Sequence, residues 1–213
     1  MSIVQNPIVG RSSGKFSNAI FSKWKDKNTL RSKALVVNQP NTADQLTQRS
    51  VFAASVRYAR MVLSLIRFTL KTVAVSMSEF NYYMKMNTRL VDPITYAYTP
   101  VNVPSLRFAL GAFTALVNVA ITSATASAVA LSWSVAVTPP DYEADMQVSF
   151  VIFNATMDEL FFFKDVADFV TGTASLPVDF TSNDNIYVFA FVGNQTGTKF
   201  SSSQYVGQET VAW

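Results

Sequence analysis

The chain has 213 residues, enough for one large or two small domains, and its 49% hydrophobic and 15% charged content excludes a disordered polymer. With no His and no Cys, it lacks an imidazole base, a thiol nucleophile, disulfides and the usual zinc ligands. The net charge of +3 conceals an asymmetry: residues 1–104 carry fourteen basic and four acidic side chains, a net of +10, while residues 105–213 carry three and ten, a net of −7. Such a split joins a basic region to an acidic module. It serves nucleic-acid contact, head-to-tail assembly of copies, or simply two differently solvated surfaces.

The first residues lack a basic stretch followed by an apolar run, so no secretion signal is expected. The first forty residues read as a basic arm punctuated by Pro7, Gly10 and Gly14, with Lys15, Lys23, Lys25, Lys27, Arg31 and Lys33 along it. Ile20, Phe21, Trp24 and Leu30 are too few to form a core. The arm is therefore expected to be mobile or held by a neighbouring subunit or ligand, with short strands near 16–24 and 29–36.

Pro40, Thr42 and Gln45 mark a helix start with a capping box. Phe52, Val56, Ala59, Leu63, Ile66 and Leu70 then recur at steps of four and three, predicting one long amphipathic helix to about Thr72. Arg49, Arg57, Arg60, Arg67 and Lys71 give it a basic flank. A second helix is predicted over 78–90, ended by Asp92-Pro93, and 95–104 reads as the linker between halves.

Residues 108–137 carry no charge, yet they alternate. Val129, Leu131, Trp133, Val135 and Val137 share one parity; Ala128, Ala130, Ser132, Ser134 and Ala136 share the other. Period two indicates a half-buried strand and not a membrane helix, so no membrane partner is expected. Strands are predicted over 113–121, 129–137, 146–154, 160–164, 172–178, 186–192 and 200–207. The fold class is thus α+β, mainly β: a basic arm and helices in a region 1–104, then an immunoglobulin/fibronectin-like β-sandwich over 105–213. Trp133 is expected in its core. Strand 186–192 is apolar on both parities, which requires cover on both faces, from its own second layer plus the helices or from another subunit.

The carboxylates offer little for catalysis. Asp141, Glu143 and Asp145 alternate in one loop but lack the glycine and spacing of a calcium loop, and a solvated loop is the simpler reading. No phosphate loop, dinucleotide fingerprint or nucleophile elbow is present. No catalytic residue, metal site or cofactor is assigned, and the chain is expected not to be an enzyme. The candidate interaction residues are Lys15, Lys23, Trp24, Lys25, Lys27, Arg31, Arg49, Arg57, Arg60, Arg67 and Lys71. They suit phosphates, or acidic modules of neighbouring copies.

Several segments resemble a family of proteins seen in Bacteroidota genomes, phages and prophages. They are Gly14-Lys15-Phe16-Ser17-Asn18, Trp24-Lys25, Arg31, Pro40-Asn41-Thr42-Ala43-Asp44-Gln45, Gln48-Arg49, Phe52, Phe80-Asn81-Tyr82-Tyr83 and Ser201-Ser202-Ser203-Gln204-Tyr205-Val206-Gly207. Ser17 stands where that pattern has a second Gly, and Gln39 where Asn precedes the Pro. The resemblance implies a helical N-terminal region, a β-sandwich and an association with mobile elements, and no activity. The expected function is a non-enzymatic structural protein of a bacteriophage virion in capsid, neck or tail. Its partners would be further copies and other virion proteins, assembled in the host cytoplasm. The alternatives are a nucleic-acid-binding protein using the arm and helix flank, and a surface adhesion module.

Overall fold

The period-two pattern of the second half folds into seven strands, and a further four form from the basic arm. The computed structural model describes residues 2–4, 14–24, 27–34, 41–135 and 143–212. It is 42% strand and 24% helix. Two units divide the chain, Met1–Thr42 and Ala43–Trp213.

In the first unit, β1 (Ser2–Val4), β2 (Gly14–Phe16), β3 (Ala19–Trp24) and β4 (Lys27–Ser32) form one antiparallel sheet in the order β1-β4-β3-β2. Ser17 turns β2 into β3 with φ 52°, a left-handed conformation that Gly, Asn and Asp adopt more readily. The predicted stretch 16–24 is a strand pair, while the second strand stops at Ser32 short of the expected 36. Among its described side chains only Thr29 is buried, its hydroxyl donating to the Ser22 carbonyl at 2.9 Å.

The second unit begins with α1 (Ala43–Met61), α2 (Leu63–Thr69) and α3 (Glu79–Asn87). The single long helix expected from the seam is interrupted at Val62, whose φ of −103° and ψ of 21° separate α1 from α2. The expected seam is buried at Ala59, Ile66 and Leu70 and half-buried at Val56 and Leu63, and a second row beside it is buried as well. Val51, Ser55, Tyr58, Val62, Leu65 and Thr69 face inward at steps of four and three, whereas Phe52 is 57% exposed. The apolar pattern misses that second row because Ser55 and Thr69 can be buried at little cost. Their hydroxyls donate to the Val51 and Leu65 carbonyls one turn back, and Thr69 also reaches the Phe108 carbonyl at 2.7 Å. Ser78 caps α3, its hydroxyl accepting from the Asn81 N–H at 3.3 Å, and a 3₁₀ turn extends it to Leu90.

The predicted strands appear as β5 (Val117–Ala124), β6 (Ala128–Ser134), β7 (Met146–Asn154), β8 (Glu159–Asp168), β9 (Thr173–Pro177), β10 (Asn185–Asn194) and β11 (Gln204–Thr210). They make two antiparallel sheets, β5-β6-β9 and β11-β10-β7-β8, packed face to face. Val129, Leu131 and Trp133 of β6 meet Val148, Phe150 and Ile152 of β7 and Ile186, Val188 and Ala190 of β10 in the shared core. The other face of the four-stranded sheet, with Phe153, Tyr187, Phe189 and Phe191, is covered by Tyr58, Leu65, Ile66 and Tyr83 from the helices. The unit thus has three layers.

This arrangement accounts for β10. Its two apolar parities face two cores of its own unit, so the strand gives no argument for a covering subunit. It also moves the domain boundary. The change of periodicity near residue 104 is a change of element type inside one unit, because helices and sheet share a core; the division follows Thr42 instead. The expected linker 95–104 is packed into that core, with Tyr98 and Val103 buried.

Candidate interaction surfaces

In the N-terminal sheet, Lys15 of β2, Ile20 of β3 and Arg31 of β4 lie in one register row, so two exposed cations flank an apolar residue. Lys23 pairs with Asn28 and Trp24 with Lys27 along the β3–β4 hairpin. The side chains of Lys23, Trp24 and Lys27, and the whole of Lys25, lie outside the described residues.

On the helices, Arg49, Arg60, Arg67 and Lys71 are exposed. Arg60 of α1 and Arg67 of α2 are seven residues apart, and Lys71 follows in the turn just after α2. Arg57 is held differently. Its guanidinium is ion-paired with Asp158 at the β7–β8 turn. Burial works against the Arg57 charge, but the hydrogen bond and charge of Asp158 outweigh it and hold the group above its ordinary value. The flank expected from the sequence is therefore reduced by one, because an acid distant in sequence folds onto it.

Asp158 has a second role in the same turn. It takes φ 56° in the turn and accepts the Tyr58 hydroxyl. Tyr58 stacks on Tyr98 with ring centroids 4.2 Å apart, and Phe153 meets both rings edge-on. The hydroxyls of Tyr83 and Tyr98 are buried and hydrogen-bond no described group. Burial raises all three phenols above their ordinary range, with Asp158 adding to the effect at Tyr58. The cluster is a packing device, joining α1, α3 and the 91–106 segment to the sheet.

The acidic residues are similarly occupied. Glu143 pairs with Lys199 and Asp165 with Lys164, while Asp168 accepts from the Gln147 amide. Asp141 lies outside the described residues. Buried Asp184 accepts the Asn154 amide at 2.8 Å and the Thr181 N–H at 3.1 Å. Burial would raise its pKa, but these donors hold the carboxylate below its ordinary value of 3.8. Among the described residues no group of three Asp or Glu could hold a metal ion, and no helix is long and apolar enough to cross a membrane.

The motif residues of the C-terminal pattern are structural. Ser201 accepts the Val192 N–H at 2.9 Å and Ser203 the Phe108 N–H at 3.0 Å. Tyr205 packs on Tyr187 and Phe189. The buried asparagine of α3 is Asn87, not the exposed Asn81 of the quoted motif. It donates to the Arg107 carbonyl and accepts the Arg107 N–H, both at 2.9 Å. Trp133 is the expected core residue, donating its indole N–H to the Phe169 carbonyl at 2.7 Å. A groove of about 410 Å³ opens between β8 and β9, lined by Phe161, Phe163, Pro177, Val178, Asp179 and Phe180.

Comparison with curated protein sequences gives no match. Among solved structures, the crystal structure of the FN1–FN3 domains of chicken CNTN1 is similar at 10% identity and a TM-score of 0.35, over 48% of this chain. The chain spans about a third of the length of that structure (33%). A family model matches residues 11–207, covering nearly the whole sequence from the N-terminal sheet into β11. The chain belongs to the family of unknown function DUF6266.

Proposed function

We propose that the chain is a non-enzymatic structural protein of a bacteriophage virion, in capsid, neck or tail, acting through subunit–subunit assembly. The carrying observation is the N-terminal sheet. Residues 1–42 hold seven basic and one acidic side chain, a net of +6, and only Thr29 is buried among their described side chains. A sheet without a core gains too little apolar burial to offset the entropy of ordering it, so it calls for a partner surface. Positive charge favours an acidic partner, and the half-buried Ile20, Phe21 and Leu30 favour one that also offers apolar contact. Residues 105–213 of further copies, with a net of −7, offer the acidic side of such a contact. The placement in a virion draws on the sequence resemblance to phage-associated proteins. We also read the two packed sheets as an immunoglobulin/fibronectin-like sandwich, supported by the strand order β5-β6-β9 against β11-β10-β7-β8.

A nucleic-acid-binding reading is favoured by one observation, the exposure of Arg60, Arg67 and Lys71. Sedimentation of the full chain and of a 43–213 variant separates the two. Assembly predicts concentration-dependent oligomers for the full chain and a monomer for the variant. Nucleic-acid binding predicts instead a monomer that takes up random duplex DNA, with an affinity falling steeply in salt, about −0.9 in log–log slope per phosphate neutralised. A monomeric full chain at high concentration overturns the assembly reading.

A further inference from the structure

We propose that the open flank between β8 and β9 is a strand-accepting groove that takes an extended, basic segment of a partner protein beside β9. The two packed sheets are unequal, with four strands facing three, and the smaller one ends at β9. Inner-face residues Phe161 and Phe163 of β8 therefore stand half-buried over the groove, with Phe161 meeting Phe180 edge-on at 5.2 Å. A strand laid along β9 would cover these rings.

The edge is ready to pair. Among the described residues β9 hydrogen-bonds with β6 alone. The Trp133 N–H donates to the Gly172 carbonyl at 2.9 Å and the Val178 N–H to the Ser127 carbonyl at 3.1 Å. In an antiparallel ladder the direction alternates, so even-numbered residues face β6, and Thr173 and Ser175 direct N–H and C=O away from it. Pro177 has no N–H and closes the accepting stretch at one end. Five residues of β9 offer about 17 Å of edge. A free edge backed by an apolar groove is the requirement for strand addition: the main chain supplies hydrogen bonds, and alternate side chains fill the groove.

Charge selects the occupant. Asp179 lines the groove, exposed Glu159 and Asp168 mark the two ends of β8, and residues 105–213 carry a net of −7. These repel a nucleic acid and attract a peptide with basic residues on the parity that points outward. This inference goes beyond the virion reading and does not depend on it.

The test uses the full chain and a peptide of about nine residues alternating Lys and Val, with a Glu–Val counterpart as control. Amide NMR should show the Thr173 and Ser175 resonances moving and their hydrogen exchange slowing as the Lys–Val peptide saturates the protein. The Glu–Val peptide should bind at least about ten-fold more weakly. Ser175→Pro removes an N–H that points away from β6, so the fold should persist while binding falls about ten-fold or more. Asp179→Lys should narrow the difference between the two peptides without touching the backbone edge. Unchanged binding by Ser175→Pro, equal binding of both peptides, shifts confined to other elements, or no saturable binding would each overturn the proposal.

Discussion

Tyr58, near the end of α1, donates its hydroxyl to Asp158 across a hundred residues of sequence while its ring stacks on Tyr98. This one side chain ties the helical layer to the β7–β8 turn. Tyr58→Phe keeps the ring contacts and deletes the hydrogen bond, and should lower stability by about 1–2 kcal/mol. Tyr58→Ala removes a fully buried ring and should lose about 3–5 kcal/mol. Urea unfolding measures both, and a Tyr58→Phe protein as stable as its parent would show that the bond contributes nothing.

Asp184 gives the acid limb of stability a specific origin. Its folded-state carboxyl titrates below the ordinary 3.8, so its contribution is complete above that value and lost as pH falls through the lowered one. Asp184→Asn should cost about 1–3 kcal/mol at neutral pH and flatten the decline below pH 4. Thermal unfolding of both proteins from pH 3 to 7 reads the difference; parallel curves would contradict it.

At the alkaline end the raised phenols of Tyr58, Tyr83 and Tyr98 matter. Their stabilising effect is intact below the ordinary value of 10.0 and is lost as pH climbs above it toward the folded-state values. Tyrosinate absorbance should therefore show a late, cooperative step that coincides with loss of the circular dichroism signal. A smooth titration of all eight tyrosines around pH 10, before any unfolding, would refute this.

Asn87→Leu should destabilise by about 2–3 kcal/mol, because it strands the Arg107 N–H and C=O in a buried site. Arg60→Ala and Arg67→Ala, at exposed positions, should stay within about 0.5 kcal/mol of the parent. Chemical denaturation of the three variants side by side tests the contrast.

The seven strands of the second half were legible because burial on one face imposes alternation, as at Val129, Leu131 and Trp133. Residues 186–192 fall inside β10 for the further reason that a strand covered on both faces is apolar on both parities. The inward face of α1 was legible only in part, at Ala59, since hydropathy discounts Ser55 while a back-bond to the Val51 carbonyl allows its burial. The pairing of Arg57 with Asp158, which no local spacing encodes, was not legible. The N-terminal sheet was legible only as two short strands near 16–24 and 29–36, because its strands bury almost nothing and burial is what writes a pattern into sequence. The groove beside β9 left no trace beyond three consecutive phenylalanines.

Strand β10 belongs to two cores at once, with Tyr187, Phe189 and Phe191 in one and Ile186, Val188 and Ala190 in the other. Neither layer can therefore be peeled away without opening the other side of the same ribbon. Unfolding of residues 43–213 should be a single event, and the slowest-exchanging amides in the molecule should be those of β10 and its neighbour β7. Conversely, a chain shortened to begin after the helices would display a row of aromatic rings to water, a surface of the kind that drives aggregation. The helices, for all their exposed cations, are what keeps this sheet soluble.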